Sequence, residues 1–124
     1  MDTDSYVVAG IADHLCAWES CYRTTALLGG DTRFVLSTSG HIASMVNPPD
    51  NPKAGFQVAP DGAGNPGDAG RWLEAATKVA GSWWEDYVAW LGERSGPLRN
   101  RPRRIGSAAF PPVCDAPGSY VLDR

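Results

Sequence analysis

The sequence predicts an α/β fold built on two neighbouring parallel strands joined by one helix, with the chemistry at their carboxyl ends. Three observations predict it. Tyr6-Val7-Val8-Ala9 and Arg33-Phe34-Val35-Leu36 are short β-branched and aromatic runs bounded by turn-forming residues. The residues between them repeat large side chains at helical spacing. An acid, Asp13, follows the first run, and a histidine, His41, follows the second.

The first run, residues 6–9, reads as a strand buried on both faces, as in a parallel sheet, and Gly10 closes it. Residues 11–18 then form the loop at its carboxyl end, the edge where open α/β sheets bind ligands. Trp18, Tyr22, Thr25 and Leu28 lie four, three and three residues apart, which makes one face of a helix over residues 18–28. Gly29-Gly30 stops it, because glycine takes the left-handed cap conformation without steric cost. Asp31-Thr32 turns the chain into the second strand, residues 33–36. Strand, helix and strand in about thirty residues form a βαβ unit, whose crossover is right-handed.

Small residues at Ser37-Thr38-Ser39-Gly40 let the backbone turn tightly and raise the His41 imidazole out of the sheet edge. Residues 42–46 read as a short helical turn. Asn47-Pro48-Pro49 ends it, since proline lacks an N–H and restricts the residue before it. Proline, glycine, asparagine and aspartate then dominate residues 47–70, a long loop with Phe56 and Val58 as a brief strand or packing anchor.

Residues 71–80 and 82–94 read as two helices broken at Gly81. Ser82-Trp83-Trp84-Glu85 fits a capping box, with the serine oxygen on the third helical amide and the glutamate reaching back. Trp83, Tyr87, Trp90, Leu91 and Arg94 share one face. Core packing against the sheet is the expected use of these tryptophans, and an exposed aromatic patch is the alternative. After Gly96-Pro97 the composition shifts: Arg99, Arg101, Arg103 and Arg104 crowd a solvated, extended stretch. Phe110-Pro111-Pro112 and residues 116–121 are expected to dock along the surface as extended pieces. The chain thus divides into a catalytic-type portion, 1–96, and a Pro/Arg-rich tail, 97–124.

At 124 residues the chain can bury one real core but is short for a complete α/β-hydrolase sheet. A net charge of −3 does not suggest a nucleic-acid surface. No apolar run is long enough to cross a bilayer, and Met1-Asp2-Thr3-Asp4 lacks the basic start of a signal peptide, so a cytoplasmic location is expected. Cys16, Cys21 and Cys114 are odd in number and lack metal-type spacing. Reduced thiols acting as small hydrophobes are expected, with no disulfide, metal or cofactor.

An acid and then a histidine, each just after a parallel strand, is the order in which the later part of an α/β-hydrolase sheet carries two of its three catalytic residues. The third, a nucleophile on a sharp strand-to-helix turn, comes earlier, and only twelve residues precede Asp13. The fold expected is therefore the C-terminal portion of an α/β-hydrolase fold: a parallel βαβ unit, a long loop and Trp-rich helices, with the N-terminal part of the fold missing. The residues alone leave a plainer option open, a carboxylate that caps a loop beside a structural histidine.

Ordered blocks sharpen this. They are Val8-Ala9-Gly10-Ile11-Ala12-Asp13-His14-Leu15-Cys16-Ala17-Trp18, Cys21-Tyr22-Arg23, Leu27-Leu28-Gly29-Gly30 and Arg33 through Ser39-Gly40-His41-Ile42. Asn47-Pro48-Pro49-Asp50-Asn51-Pro52-Lys53, Gly81-Ser82-Trp83-Trp84 and Trp90 through Ser95-Gly96-Pro97 follow. Together they resemble the C-terminal part of polyhydroxyalkanoate synthases and cover nearly the whole chain. Ala116-Pro117-Gly118-Ser119-Tyr120-Val121 also resembles the family's end.

The resemblance implies an α/β-hydrolase-like acyltransferase that polymerises (R)-3-hydroxyacyl-CoA into polyester and releases CoA. A cysteine in a lipase-like box is the nucleophile and holds the growing polyester chain as a thioester. His41 matches the general base. Asp13 matches the third member, which activates the incoming hydroxyl or orients the histidine. His14 matches a histidine given a structural role. Coenzyme A enters as part of the substrate, and no separate cofactor is implied. Water must be kept out, because hydrolysis ends the polyester, and the Trp-rich helices are expected to help.

Two departures stand out. Ala17 replaces the proline usual after the Asp-His block, and no Gly-x-Cys-x-Gly box exists. Cys16, flanked by Leu15 and Ala17, and Cys21, inside a helix, both lack the flanking glycines of a nucleophile elbow. The first reading is thus a synthase piece, from a truncated frame or a split product, that is inactive alone. The second is a non-catalytic module that pairs with an N-terminal half, a second copy or a polyester granule surface. A third is a related esterase or depolymerase. Asn47-Pro48-Pro49 and Ser82-Trp83-Trp84 favour the synthase.

Overall fold

Four strands form one mixed sheet in the order β1-β2-β3-β4, in a computed structural model that describes residues 2–60 and 67–123. Strand β1 (Ser5–Gly10) runs parallel to β2 (Thr32–Ser37), in register from Ser5 opposite Thr32 to Gly10 opposite Ser37. Between them lie helix α1 (Trp18–Arg23) and a 3-10 turn at Thr24–Leu27, which completes the predicted βαβ unit. Trp18, Tyr22 and Thr25 are buried as their spacing predicts. The α-helix itself ends at Arg23, earlier than expected, and the 3-10 turn tightens its last part.

The sheet does not stop at two strands. β3 (Gly55–Val58) pairs antiparallel with β2, placing Val35 opposite Val58 and Ser37 opposite Phe56. β4 (Thr77–Ala80) pairs antiparallel with β3, from Gly55 opposite Ala80 to Val58 opposite Thr77. The anticipated helix over residues 71–80 is therefore corrected. Helix α3 covers only Ala69–Ala75, with Asp68 accepting the Arg71 amide at its start. The chain turns extended at Ala76, and β-branched Thr77 and Val79 join the ladder. The long loop is likewise interrupted by β3, and its residues 61–66 lie outside the described residues.

β2 is the buried strand, and its side chains alternate between two cores. Phe34 and Leu36 pack with Ala9, Trp18, Tyr22 and Trp72 on one face. Val35 packs with Phe56 and Trp83 on the other, flanked by Tyr6, Val8, Trp84 and Tyr87. The Phe34 ring meets Trp72 edge-on at 4.8 Å and Tyr22 at 5.1 Å, the favoured contact between ring quadrupoles. Burying each such side chain contributes about 1.5–3 kcal/mol. β1 lies at the sheet's edge, so Ser5 through Val8 are only half-buried, where burial on both faces is the expectation.

Helix α4 (Trp83–Arg94) begins after Gly81, whose φ of 104° is a conformation that favours glycine. Ser82 caps it through the Trp84 amide, the second of the helix rather than the third that a capping box uses. Trp83 is core, Tyr87 and Trp90 are half-buried, and Leu91 is exposed. The tail does not dock as anticipated: Leu98, Ile105, Phe110 and Val113 are all exposed, and Tyr120–Leu122 forms a 3-10 turn. Among the described residues no helix is long and apolar enough to cross a membrane.

Candidate functional site

Gly10 ends β1 where the chain must pass close under the loop after β2. A Cβ at this position would lie 2.6 Å from the Ser39 carbonyl oxygen and 3.1 Å from the Ser44 side chain. Only glycine lets the two loops meet without a shift. They are then tied by backbone bonds, Ile11 N–H to the Ser37 carbonyl at 2.9 Å and Ala12 N–H to the Ser39 carbonyl at 3.4 Å.

This closure brings the two sequence-predicted residues together at the carboxyl edge of β1 and β2. The Nδ1 of His41 lies 2.8 Å from Oδ2 of Asp13. The other carboxylate oxygen, Oδ1, accepts the Leu15 and Cys16 amides, each at 2.9 Å. The Asp13 side chain is 8% exposed and the His41 side chain 42%. The Cys16 amide, then the His41 ring, lower the Asp13 pKa from 3.8 to about 2. An ionised Asp13 accepts from Nδ1–H and so leaves the other ring nitrogen, Nε2, with its lone pair. An oriented imidazole with one free nitrogen can take a proton from a thiol or hydroxyl placed against it.

The His41 side of the site is anchored from below. Helix α2 (Ala43–Val46) starts two residues after His41, and Ser44 Oγ donates to the His41 carbonyl at 3.1 Å. The buried Trp83 Nε1 donates to the Ser44 carbonyl at 2.7 Å. Asn47 Nδ2 donates to Ser39 Oγ at 3.1 Å. Sequence reasoning placed Trp83 in the core but did not foresee its hydrogen bond; only the topology that folds α4 under α2 reveals it.

Of the cysteines, Cys16 is exposed in the same loop as Asp13. Cys21 sits in α1, half-buried, and burial pushes its thiol pKa up, with smaller contributions from Cys16 and Asp13. Neither stands on a sharp strand-to-helix turn. His14 is exposed.

A second polar cluster lies at the opposite, amino end of β2. Arg33 Nε and Nη2 grip the Asp86 carboxylate at 2.8 and 2.6 Å, and the Tyr6 hydroxyl donates to the same group at 2.6 Å. Burial pushes Asp86 upward, but the bonds from Arg33 and Tyr6 outweigh it and hold the carboxyl below its usual range. The cluster fastens α4 to the sheet and lies along a cavity of about 660 Å³ lined also by Trp72 and Arg94.

No family model matches the chain. Over 121 residues, 98% of this chain and 21% of the relative, it is 50% identical to poly(3-hydroxyalkanoate) polymerase 1 of Ectopseudomonas oleovorans. It is 46% identical to polymerase 2 of that organism over 124 residues, 100% of this chain and 22% of the relative. It is 37% identical to the poly(3-hydroxyalkanoate) polymerase subunit PhaC of Cupriavidus necator over 121 residues, 98% of this chain and 20% of the relative. The chain spans about a fifth of the length of these relatives.

Proposed function

We propose that this chain, a relative of the poly(3-hydroxyalkanoate) polymerases along nearly its whole length, is the C-terminal portion of an α/β-hydrolase-like acyltransferase that polymerises (R)-3-hydroxyacyl-CoA. It supplies the base, His41, and the orienting acid, Asp13. The nucleophilic cysteine comes from outside these 124 residues. The observation that carries the reading is the 2.8 Å contact between His41 and Asp13 at the carboxyl ends of adjacent parallel strands.

In this reading the free imidazole nitrogen takes the proton of the cysteine thiol. The thiolate attacks the thioester carbonyl, the carbon–sulfur bond to CoA breaks, and CoA leaves with a proton. The acyl group then rests on the cysteine. His41 next takes the proton of a 3-hydroxyl group, whose oxygen attacks that acyl carbon; the new ester bond forms as the carbon–sulfur bond to the cysteine breaks, and the released thiolate recovers the proton from His41. Asp13, ionised throughout, holds the ring in the tautomer both steps need and stabilises the imidazolium.

Exposed apolar residues support a covered site. Ile11 and Leu15 on the Asp13 loop, and Ile42, Met45 and Val46 beside His41, all face solvent. A complementary half, a second copy or the polyester chain itself would cover them and exclude water. Action in the cytoplasm, at the surface of a polyester granule, accords with this. The same rim would serve a non-catalytic pairing module.

The test compares CoA release from 3-hydroxybutyryl-CoA by the purified chain alone and with a polypeptide carrying a Gly-x-Cys-x-Gly box. Release only in the mixture is expected. Turnover by the chain alone refutes the division of labour, and no turnover in a stable complex refutes the catalytic reading.

A further inference from the structure

We propose that Asp13, Cys16 and His41 together bind one divalent cation of the Zn²⁺ class, and that the bound ion competes with the base function of His41. A carboxylate oxygen, a thiol sulfur and an imidazole nitrogen, one from each residue, all lie within 4.8 Å of one another. Sequence spacing hides the group: Cys16 and Cys21 cannot share an ion as a close pair, and His41 is twenty-five residues from Cys16. The parallel pairing of β1 with β2 assembles it.

The donor set suits zinc. Thiolate and imidazole are the ligands this borderline-soft ion prefers, and a carboxylate completes a three-residue set that leaves the fourth tetrahedral position open. Zinc–sulfur bonds of about 2.3 Å and zinc–nitrogen or zinc–oxygen bonds of about 2.0 Å set these tetrahedral ligand atoms roughly 3.3–3.5 Å apart. From separations within 4.8 Å the group needs to close by about 1.5 Å at most, within the reach of side-chain rotation. Its backbone is already drawn together, since the Cys16 amide donates to Asp13 at 2.9 Å. Cys16 and His41 are exposed, which gives the ion a path in. Coordination would take a lone pair of the imidazole and withdraw Asp13 from it, so base and orienting acid are lost together.

The inference involves the residues of the acyl-transfer reading but needs only their proximity, and its test reads metal rather than turnover. The full chain, freed of metal by a chelator, is titrated with Co²⁺. One equivalent should produce a thiolate-to-cobalt charge-transfer band in the near ultraviolet, and Zn²⁺ should bleach it. Cys16→Ser should abolish the band. His41→Gln and Asp13→Asn should weaken binding about tenfold or more. Cys21→Ser, Cys114→Ser and His14→Asn should leave it intact. Cys16 is exposed, so serine there disturbs no packing, and circular dichroism checks the fold. No band with the wild-type chain overturns the site. So does a band that survives Cys16→Ser, or one that vanishes with Cys21→Ser or Cys114→Ser.

Discussion

The indole of Trp83, at the start of α4, donates its one proton to the carbonyl oxygen of Ser44, 2.7 Å away and three residues beyond His41. The bond is buried and spans thirty-nine residues of sequence. It joins the helix that covers one face of the sheet to the short helix that follows the candidate base. Trp83→Phe keeps an aromatic ring in the core but leaves the Ser44 carbonyl without its donor. A loss of about 2 kcal/mol in urea unfolding is expected, the cost of an unmade buried hydrogen bond. Amide exchange at Ser44, Met45 and Val46 should quicken more than exchange in β2. Equal quickening throughout would show that Trp83 acts only as core.

Gly10→Ala tests how the two loops are brought together. Its new methyl group would sit 2.6 Å from the Ser39 carbonyl oxygen, a backbone atom that cannot swing aside. The loop carrying His41 must shift, at a cost of about 1–3 kcal/mol for overpacking. The Asp13–His41 hydrogen bond should lengthen or break, seen as an upfield move of the His41 Nδ1 proton resonance. An unchanged resonance with full stability would mean that the loops meet without needing glycine.

Acid titration reads the Asp13 carboxylate directly. Its folded pKa, about 2, lies below the ordinary 3.8. Between these values the unfolded chain binds more protons than the folded one, so stability rises with pH there. The contribution is whole above about pH 4 and disappears as the pH falls toward 2. Compared with Asp13→Asn, the wild-type chain should hold a constant advantage in urea midpoint above pH 4 that narrows below it. A gap that stays level down to pH 2 would show that the carboxylate's charge is not what stabilises the loop.

The clamp between Arg33 and Asp86 gives a control away from the site. Asp86→Ala removes the acceptor of the Tyr6 hydroxyl and of two guanidinium bonds from Arg33. These groups are partly buried, and a loss of about 2 kcal/mol is expected. Tyr6→Phe deletes one bond of this cluster and should cost about 1 kcal/mol. Both variants should leave the Asp13–His41 bond intact by the same proton resonance, because the clamp sits at the other end of β2.

How much of this was legible beforehand follows from the range of each interaction. The βαβ unit was readable because its signals are local: β-branched runs and a helical face from Trp18 to Thr25. Gly29-Gly30 is not the left-handed cap expected of it, since the helical segment already ends at Leu27 and an extended Leu28. Asp13 and His41 were readable because the order of strands and polar residues survives in the sequence. β4 was misread as helix since Thr77-Lys78-Val79-Ala80 continues without a breaker from Arg71-Trp72-Leu73-Glu74, and only pairing with Phe56-Gln57-Val58 decides its form. The tail's proline spacing showed extension, yet nothing local told whether Phe110 or Val113 would find a surface. The Trp83–Ser44 hydrogen bond and the approach of Cys16 to His41 within 4.8 Å depend on topology alone, so no spacing rule could reveal them.

Catalysis supplies the sharpest separation of the two candidate residues. In an active complex with a cysteine-bearing partner, His41→Gln removes the group proposed to take the thiol proton, and CoA release should fall by about 10²–10⁴-fold. Asp13→Asn leaves the base present but exchanges an acceptor for an amide that can also donate, so the ring loses the partner that fixes Nδ1–H. Its rate per assembled complex should fall too. A merely structural Asp13 would change the amount of active complex and leave the rate of each complex in place. Measuring kcat for both variants, at matched concentrations of assembled complex, distinguishes the two. If Asp13→Asn leaves kcat per complex unchanged, Asp13 holds the loop and does not orient the base.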